Sequence, residues 1–158
     1  MEIQGAVLGS EKLQAEFRGA PGIFRKQMKM GMLVAVNKVN NYIKYQELTG
    51  QLLNNRTGLL RENNQIEVDE TGADEVTGYV FNKTRYARIH EYGGIIYPKI
   101  AKVLRFRLAD GSWRSAHSVI MPATGFMQLG FEHEKANVFG ILQESAKRAS
   151  VEMKAMGI

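Results

Sequence analysis

Phe24, Met28, Met32, Ala35, Val39 and Ile43 recur at spacings of three and four residues. That rhythm places six apolar side chains on one stripe of an α-helix, so this part of the chain must find a surface that covers the stripe. Arg25, Lys29, Asn40 and Lys44 fall on the other side. A Met-rich stripe suits ordinary core. It also suits an interface that repacks, because Met adapts its shape. A second helical rhythm closes the sequence: Phe126, Leu129, Val138, Ile141, Leu142, Ser145, Ala149 and Met153, locally weakened by Gly130 and Gly140. Near the start, Ser10 can cap a short helix over residues 11–17. Gly19-Ala20-Pro21-Gly22 then breaks the chain, and Pro21, lacking an N–H, can open the next helix.

The middle of the chain reads differently. Residues 48–63 are rich in turn formers and predict a loop with one helical turn at Leu59-Leu60-Arg61. A strand near 66–68, a turn at 71–74 and a strand over 76–82 predict an antiparallel hairpin with a long acidic tip. Tyr86, Ile89 and His90 have helical spacing, and Gly93 can end that turn. Residues 95–99 are short and apolar. Leu104, Phe106 and Leu108 alternate with Arg105 and Arg107 as in a half-buried strand. Asp110-Gly111 is a hairpin turn signal. Partner strands are expected at 113–116 and 119–121, and Pro122 closes the sheet region. The expected class is α+β: a long N-terminal helix and a C-terminal helix packed with a small antiparallel β-sheet carrying a long hairpin. The length, 158 residues, fits one domain over 1–158 with a substantial core.

The sequence contains no cysteine, which excludes disulfides, thiolate metal sites and a cysteine nucleophile, and fits folding in a reducing cytosol. No apolar run approaches the roughly 18 residues of a membrane span, and Met1-Glu2-Ile3-Gln4-Gly5 does not begin like a secretory signal. The net charge of +5 is modest, but its distribution is not even. Arg18, Arg25, Lys26, Lys29, Lys38 and Lys44 form a basic stretch. Glu62, Glu67, Asp69, Glu70, Asp74 and Glu75 form an acidic one. Lys83, Arg85, Arg88, Lys99, Lys102, Arg105, Arg107 and Arg114 are then opposed only by Glu91 and Asp110. Two readings stay open: solvated surface, or poles that meet opposite poles on a neighbouring subunit.

A catalytic set is not visible. His90, His117 and His133 do not pair at metal-binding spacing, and neither a Gly-x-Ser-x-Gly elbow nor a phosphate loop is present. Glu132-His133-Glu134 reads as solvated helix surface. His90 and Glu91 are adjacent on one helical turn and so point in different directions. His90 is instead expected to satisfy a backbone group while Tyr86 and Ile89 pack inward. Arg105 and Arg107 should lie on the face of their strand opposite Phe106, unlike a basic aromatic platform. No metal, cofactor or enzymatic activity is expected.

Arg56-Thr57-Gly58-Leu59-Leu60-Arg61 and Tyr86-Ala87-Arg88-Ile89-His90-Glu91-Tyr92-Gly93-Gly94 carry a resemblance. The chain resembles the small minor tail or neck proteins of tailed bacteriophages, called tail-component, tail-completion or head–tail joining proteins. Order and spacing agree over roughly residues 20–150. The family's later Pro-Ala-Arg-Pro-Phe-Leu segment corresponds here to Pro122-Ala123-Thr124-Gly125-Phe126-Met127, so Thr124 and Gly125 depart from the pattern. So does Asn63 or Asn64, near the family's usual Ser. The structural motif residues implied are Thr57, Gly58, Leu60, Tyr86, Ala87, His90, Glu91, Gly93, Pro122, Ala123 and Phe126. Thr57 and Gly58 would shape the turn before the hairpin. Tyr86 and Ala87 would give helix–sheet packing, Gly93 and Gly94 a sharp exit, and Pro122 the start of the terminal helix.

The resemblance implies a non-enzymatic virion protein, a homo-oligomeric ring at the head–tail junction between connector and tail, needed for head–tail joining or tail completion. Its implied partners are its own copies, the connector or adaptor, and the tail terminator or tube. Duplex DNA would pass through the lumen without sequence readout. Assembly in the bacterial host cytoplasm and no membrane partner are expected. A ring repeats one heterologous contact. For that contact the acidic hairpin (Glu67, Asp69, Glu70, Asp74 and Glu75) is expected to face a basic surface of the next subunit. Arg25, Lys26 and Lys29, or Arg105 and Arg107, would supply it. The alternative is a basic, non-enzymatic nucleic-acid-binding module.

Overall fold

The computed structural model describes residues 22–51, 58–70, 75–108 and 110–156. The expected helix over 11–17, the opening at Pro21, and the positions of Thr57 and Asp74 lie outside them.

The apolar stripe forms helix α1, Gly22–Tyr42, with Phe24, Met28, Ala35, Val36 and Val39 buried. The chain does not then enter the loop expected from residue 48. It continues as a π-helix over Ile43–Gln51. Ile43 and Leu48 are fully buried and Glu47 nearly so, so the winding is held by packing that turn-forming residue types do not announce. Thr49 adds a hydroxyl hydrogen bond to the Tyr45 carbonyl at 2.8 Å.

Helix α1 lies antiparallel to the C-terminal helix, labelled α4 here, Phe126–Ala155. Gln27 donates to Glu152 at 2.7 Å near one end, and Lys38 approaches Glu134 at 4.0 Å near the other. Between them Phe24, Met28, Ala35 and Val39 meet Val138, Leu142 and Ala149 in the core. Gly130, which weakens an isolated helix, has a positive use here. A methyl group at that position would overlap the Ile43 side chain, so the glycine lets the helices approach at this level.

The hairpin packs on another side of α1. Strands β1, Asn64–Asp69, and β2, Thr77–Asn82, pair antiparallel from Asn64↔Asn82 to Asp69↔Thr77. A one-turn helix α2, Leu59–Glu62, precedes them and a short helix α3, Ala87–Tyr92, follows. Buried polar groups fix the base of this hairpin. Asn64 donates to Asn40 of α1 at 2.8 Å. Asn82 donates to the Leu60 carbonyl at 2.6 Å and accepts from the Thr84 N–H and hydroxyl at 3.0 and 2.6 Å. Satisfied in this way, polar side chains can stay in the interior.

Beyond α3, β3 (Gly94–Ile96) pairs with β6 (Val119–Met121) and β4 (Leu104–Arg107) pairs with β5 (Trp113–Ala116), both antiparallel. The fold is α+β, two long helices with antiparallel strands. The strands form three separate two-stranded ribbons rather than one small sheet. β3–β6 roots an arm, residues 94–121, that carries β4–β5 away from the core. None of the arm's described residues is buried.

Candidate functional site

Two features stand out: a joint that fixes the start of α4, and an open apolar groove beside it. The joint begins with a geometric problem. The N-cap of α4 is Gly125, which has no side chain to satisfy the first free N–H groups. Glu91, the second-last residue of α3, supplies the missing acceptors. Its carboxylate accepts from the Met127 N–H at 2.8 Å and the Gln128 N–H at 3.0 Å. It is only 4% exposed, and its negative charge sits at the positive end of the α4 dipole. The return contact is made by backbone. The last carbonyls of α3 accept from the α4 lead-in: His90 O from Thr124 N–H at 2.7 Å, and Glu91 O from Gly125 N–H at 3.1 Å. The Thr124 hydroxyl also donates to His90 O at 2.7 Å.

Two of the motif segments, 86–94 and 122–127, thus meet in space. Ala87 and Phe126 are buried on either side of the joint, and Gly93 presses against Ala123. The departures Thr124 and Gly125 acquire a physical meaning. Gly125 has φ +61, and a proline there could neither adopt that angle nor donate the N–H that Glu91 O receives. Pro122 itself is exposed and lies ahead of the helix, so Gly125 and Glu91 set the start of α4 rather than Pro122. Gly58 is the left-handed N-cap of α2, and Leu60 is partly buried against the core.

The groove has a volume of about 230 Å³ and is mostly apolar. Met32 and Val36 of α1, Val80 of β2, Met127 and Phe131 of α4, and Tyr92 of α3 line it, with Glu91 at its margin. The arm carries the exposed apolar side chains Ile95, Tyr97, Ile100, Trp113 and Ile120. Arg107 stands opposite Trp113 in the ribbon, and the Arg105 guanidinium lies 5.0 Å from the Trp113 ring centre. Phe106 is on the other face, as its alternation predicts. Trp113, however, joins the arginines, so one face of the arm is both basic and aromatic.

The histidines read from the sequence stand in separate surroundings. His90 Nδ1 is buried without a hydrogen-bond partner, not bonded to a backbone group, and burial pushes its pKa down. The expected inward packing of Tyr86 is also absent: it is 38% exposed and meets His90 edge to face. Within Glu132-His133-Glu134 only part is solvated. His133 stacks on Tyr42 with ring centres 4.0 Å apart, and Glu134 is buried, accepting from Asn137 at 2.7 Å. Among the described residues no group of three His, Asp or Glu side chains is placed to hold a metal ion, and no helix is long and apolar enough to cross a membrane.

Glu47 is buried nearby, and desolvation raises its pKa against the opposing effect of His133. A carboxyl whose pKa rises on folding favours the fold while protonated; that contribution is full below its unfolded pKa and is lost as pH rises through the folded value. Glu47→Gln, neutral throughout, should therefore raise the melting temperature at neutral pH, with the gain shrinking as pH falls toward the ordinary carboxylate range and gone below it. Melts of both proteins at neutral and acidic pH check this. A neutral-pH loss of stability in the variant would refute it.

The charged residues expected at a subunit contact are divided by the fold. Lys29 pairs with Glu70 of its own chain, and that lysine, with Arg25 adding to it, holds the Glu70 carboxyl below its usual range. Lys26 is exposed on α1, and Glu67, Asp69 and Glu75 are exposed on the hairpin. Arg105 and Arg107 lie on the arm, Arg107 with its Nε donating to the Gly111 carbonyl at 2.9 Å. Sequence reasoning missed the capping role of Glu91, the Asn40–Asn64–Asn82 set and the placement of Trp113. Of these, only Trp113 had a signal: counting back across the Asp110-Gly111 turn puts it opposite Arg107. No protein-family model, curated protein or solved structure matches the chain.

Proposed function

We propose that this chain is a structural virion protein of a tailed bacteriophage, forming a homo-oligomeric ring at the head–tail junction between connector and tail. It has no catalytic role in this reading. The observation that supports it most is the α3–α4 joint. Two of the segments that carry the family resemblance, 86–94 and 122–127, are neighbours in space, and their polar groups serve the fold: Glu91 caps α4 and His90 O receives Thr124. The exposed apolar side chains of the arm are a second support, since a protein built to assemble leaves such surface for its partners. Those partners are further copies of the chain, the connector, and the tail terminator or tube, with duplex DNA crossing the lumen unread.

A lysate of phage lacking this protein should contain packaged or emptied heads and free tails but no infectious particles, as counted by electron microscopy and plating. Normal, infectious virions from that lysate would end the proposal. A second reading, a basic nucleic-acid-binding module, is favoured by one observation: Arg105, Arg107 and Trp113 share a face of the arm. Its signature would be tight binding to duplex DNA that weakens steeply with salt.

A further inference from the structure

We propose that the β4–β5 ribbon of the arm is the surface through which this protein touches duplex DNA, seated in the major groove and gripping phosphates without reading bases. The inference rests on the proposed head–tail ring, whose lumen DNA crosses, and names the part of the chain that meets it.

The first observation is where the charge sits. Residues 94–121 carry Lys99, Lys102, Arg105, Arg107 and Arg114 against Asp110 alone, a net of +4 in a chain whose net charge is +5. Most of the molecule's surplus charge is therefore concentrated on the arm. All five cations are exposed. None of them takes part in an ion pair among the described residues. Asp110, the one acid, is turned back onto its own turn, where its carboxylate accepts from the Ser112 N–H and hydroxyl at 2.8 and 2.7 Å.

The second is how the charge is arranged. The register puts Arg105 and Arg107 on one face of the ribbon, with Trp113, and puts Arg114, opposite Phe106, on the other face. A flat anionic partner, such as a membrane or an acidic protein surface, meets one face and leaves the other in solvent. A DNA groove has a phosphate strand on either side. The major groove of B-DNA, about 12 Å wide, admits a two-stranded ribbon. A ribbon with its side chains is about 10 Å thick, and strands as short as β4 and β5 span about 13 Å. Cations on both faces then meet both walls.

The third is what the ribbon lacks. Reading bases calls for Asn or Gln, or for arginines free to reach base edges. Residues 94–121 contain neither Asn nor Gln. Arg107 is tied through Nε to the Gly111 carbonyl, and Arg105 lies 5.0 Å from the Trp113 ring centre. These groups supply charge held close to the ribbon, which suits phosphates.

The full-length chain is titrated into a labelled duplex of mixed sequence at rising salt, read by fluorescence anisotropy. With four or five phosphates neutralised, log affinity against log salt should have a slope of about −4, a loss of roughly 200-fold from about 50 to about 200 mM salt. Arg105→Gln, Arg107→Gln and Arg114→Gln together should bring the slope to about −1. Arg107→Lys, which keeps the charge but not the Nε hydrogen bond, should bind like the parent. Asp110→Asn, which removes the arm's one negative charge, should bind more tightly. Lys135→Gln, Lys147→Gln and Lys154→Gln together, all exposed on α4, make the same change in net charge and should leave the slope near the parent's. Circular dichroism of the arm variants should match the parent, because none of the replaced side chains is buried.

If the α4 triple lowers the slope as far as the arm triple, binding follows net charge and the ribbon is not the contact. A chain that does not bind the duplex even at low salt removes the DNA contact, and the phage lysate then decides the ring reading separately. A single-stranded oligonucleotide bound about tenfold tighter than the duplex, with that preference lost in Trp113→Ala, would make the ribbon a base-stacking surface instead. Phosphatidylserine vesicles that outcompete the duplex for the parent, but not for the arm triple, would make it a lipid surface. Nanomolar, sequence-dependent binding would contradict an unread contact and favour the nucleic-acid module over the ring.

Discussion

Glu91→Ala is expected to destabilise the protein by about 3 kcal/mol, summing the loss of a helix cap and of acceptors for one buried and one half-buried N–H group. The geometry makes the loss larger than for a local cap. Met127 and Gln128 donate at 2.8 and 3.0 Å into a carboxylate that is 4% exposed, so water cannot easily replace it. Gly125 has no side chain to substitute for it. For a chain of this size the melting temperature should fall by roughly 6–12 °C. Glu91→Gln should lose less, since its amide keeps one acceptor oxygen but presents N–H groups to the other donor. Glu144, exposed and paired only with Arg148 one turn away, is the control; its alanine variant should shift stability by less than about 0.5 kcal/mol. Thermal and denaturant unfolding of the three variants measures the order. A Glu91→Ala protein as stable as the Glu144→Ala control would show that α4 does not depend on this cap.

Gly93→Ala should be as damaging, for two independent reasons. Gly93 has φ +69 and ψ −176, a region open essentially to glycine alone, where another residue costs of order 1–3 kcal/mol. A methyl group there would also stand 2.7 Å from the Ala123 nitrogen and 2.9 Å from the Met121 oxygen. Those are backbone atoms of the joint and of β6, and they cannot swing aside as a side chain could. Together the expected loss is about 3–5 kcal/mol, a large share of the roughly 5–15 kcal/mol that holds a domain folded. The soluble yield should drop, and what remains should unfold at lower denaturant. Gly140 offers the contrast: it lies within α4 with open space where a Cβ would be, so Gly140→Ala should gain about 1 kcal/mol of helix propensity. Equal effects at the two glycines would contradict this account of the joint.

Legibility followed the range of the interactions. The stripe from Phe24 to Ile43 and the rhythm from Phe126 to Met153 reveal both long helices, because helical periodicity is local. Asp110-Gly111 reveals its turn for the same reason: the Asp110 carboxylate accepts from the Ser112 N–H at 2.8 Å, two residues away. The π-helix escapes such reading. Lys44, Gln46 and Glu47 look like surface, and only the burial of Ile43 and Leu48 by distant segments turns the winding inward. Glu91 escapes for a related reason. Its partners lie beyond the whole arm, and a carboxylate in the sequence gives no hint of which N–H groups it will meet. The single sheet expected from residues 95–121 divides into ribbons because pairing is visible in alternation, whereas the absence of a covering layer is not.

The way the arm is rooted bears on how such a chain can change over generations. Its two ends are clamped side by side, Gly94 opposite Met121, immediately outside a joint whose hydrogen bonds hold α3 to α4 without using any residue from 94 to 121. The scaffold therefore tolerates insertions, deletions and wholesale replacement between residues 97 and 118, since closing a longer loop between fixed ends costs little more than closing a shorter one. Glu91, Gly93 and Gly125 answer to folding, while the arm answers to whatever it touches. Mutation can retune the second without endangering the first, and a lineage that must follow a drifting partner would keep the joint and rewrite the arm.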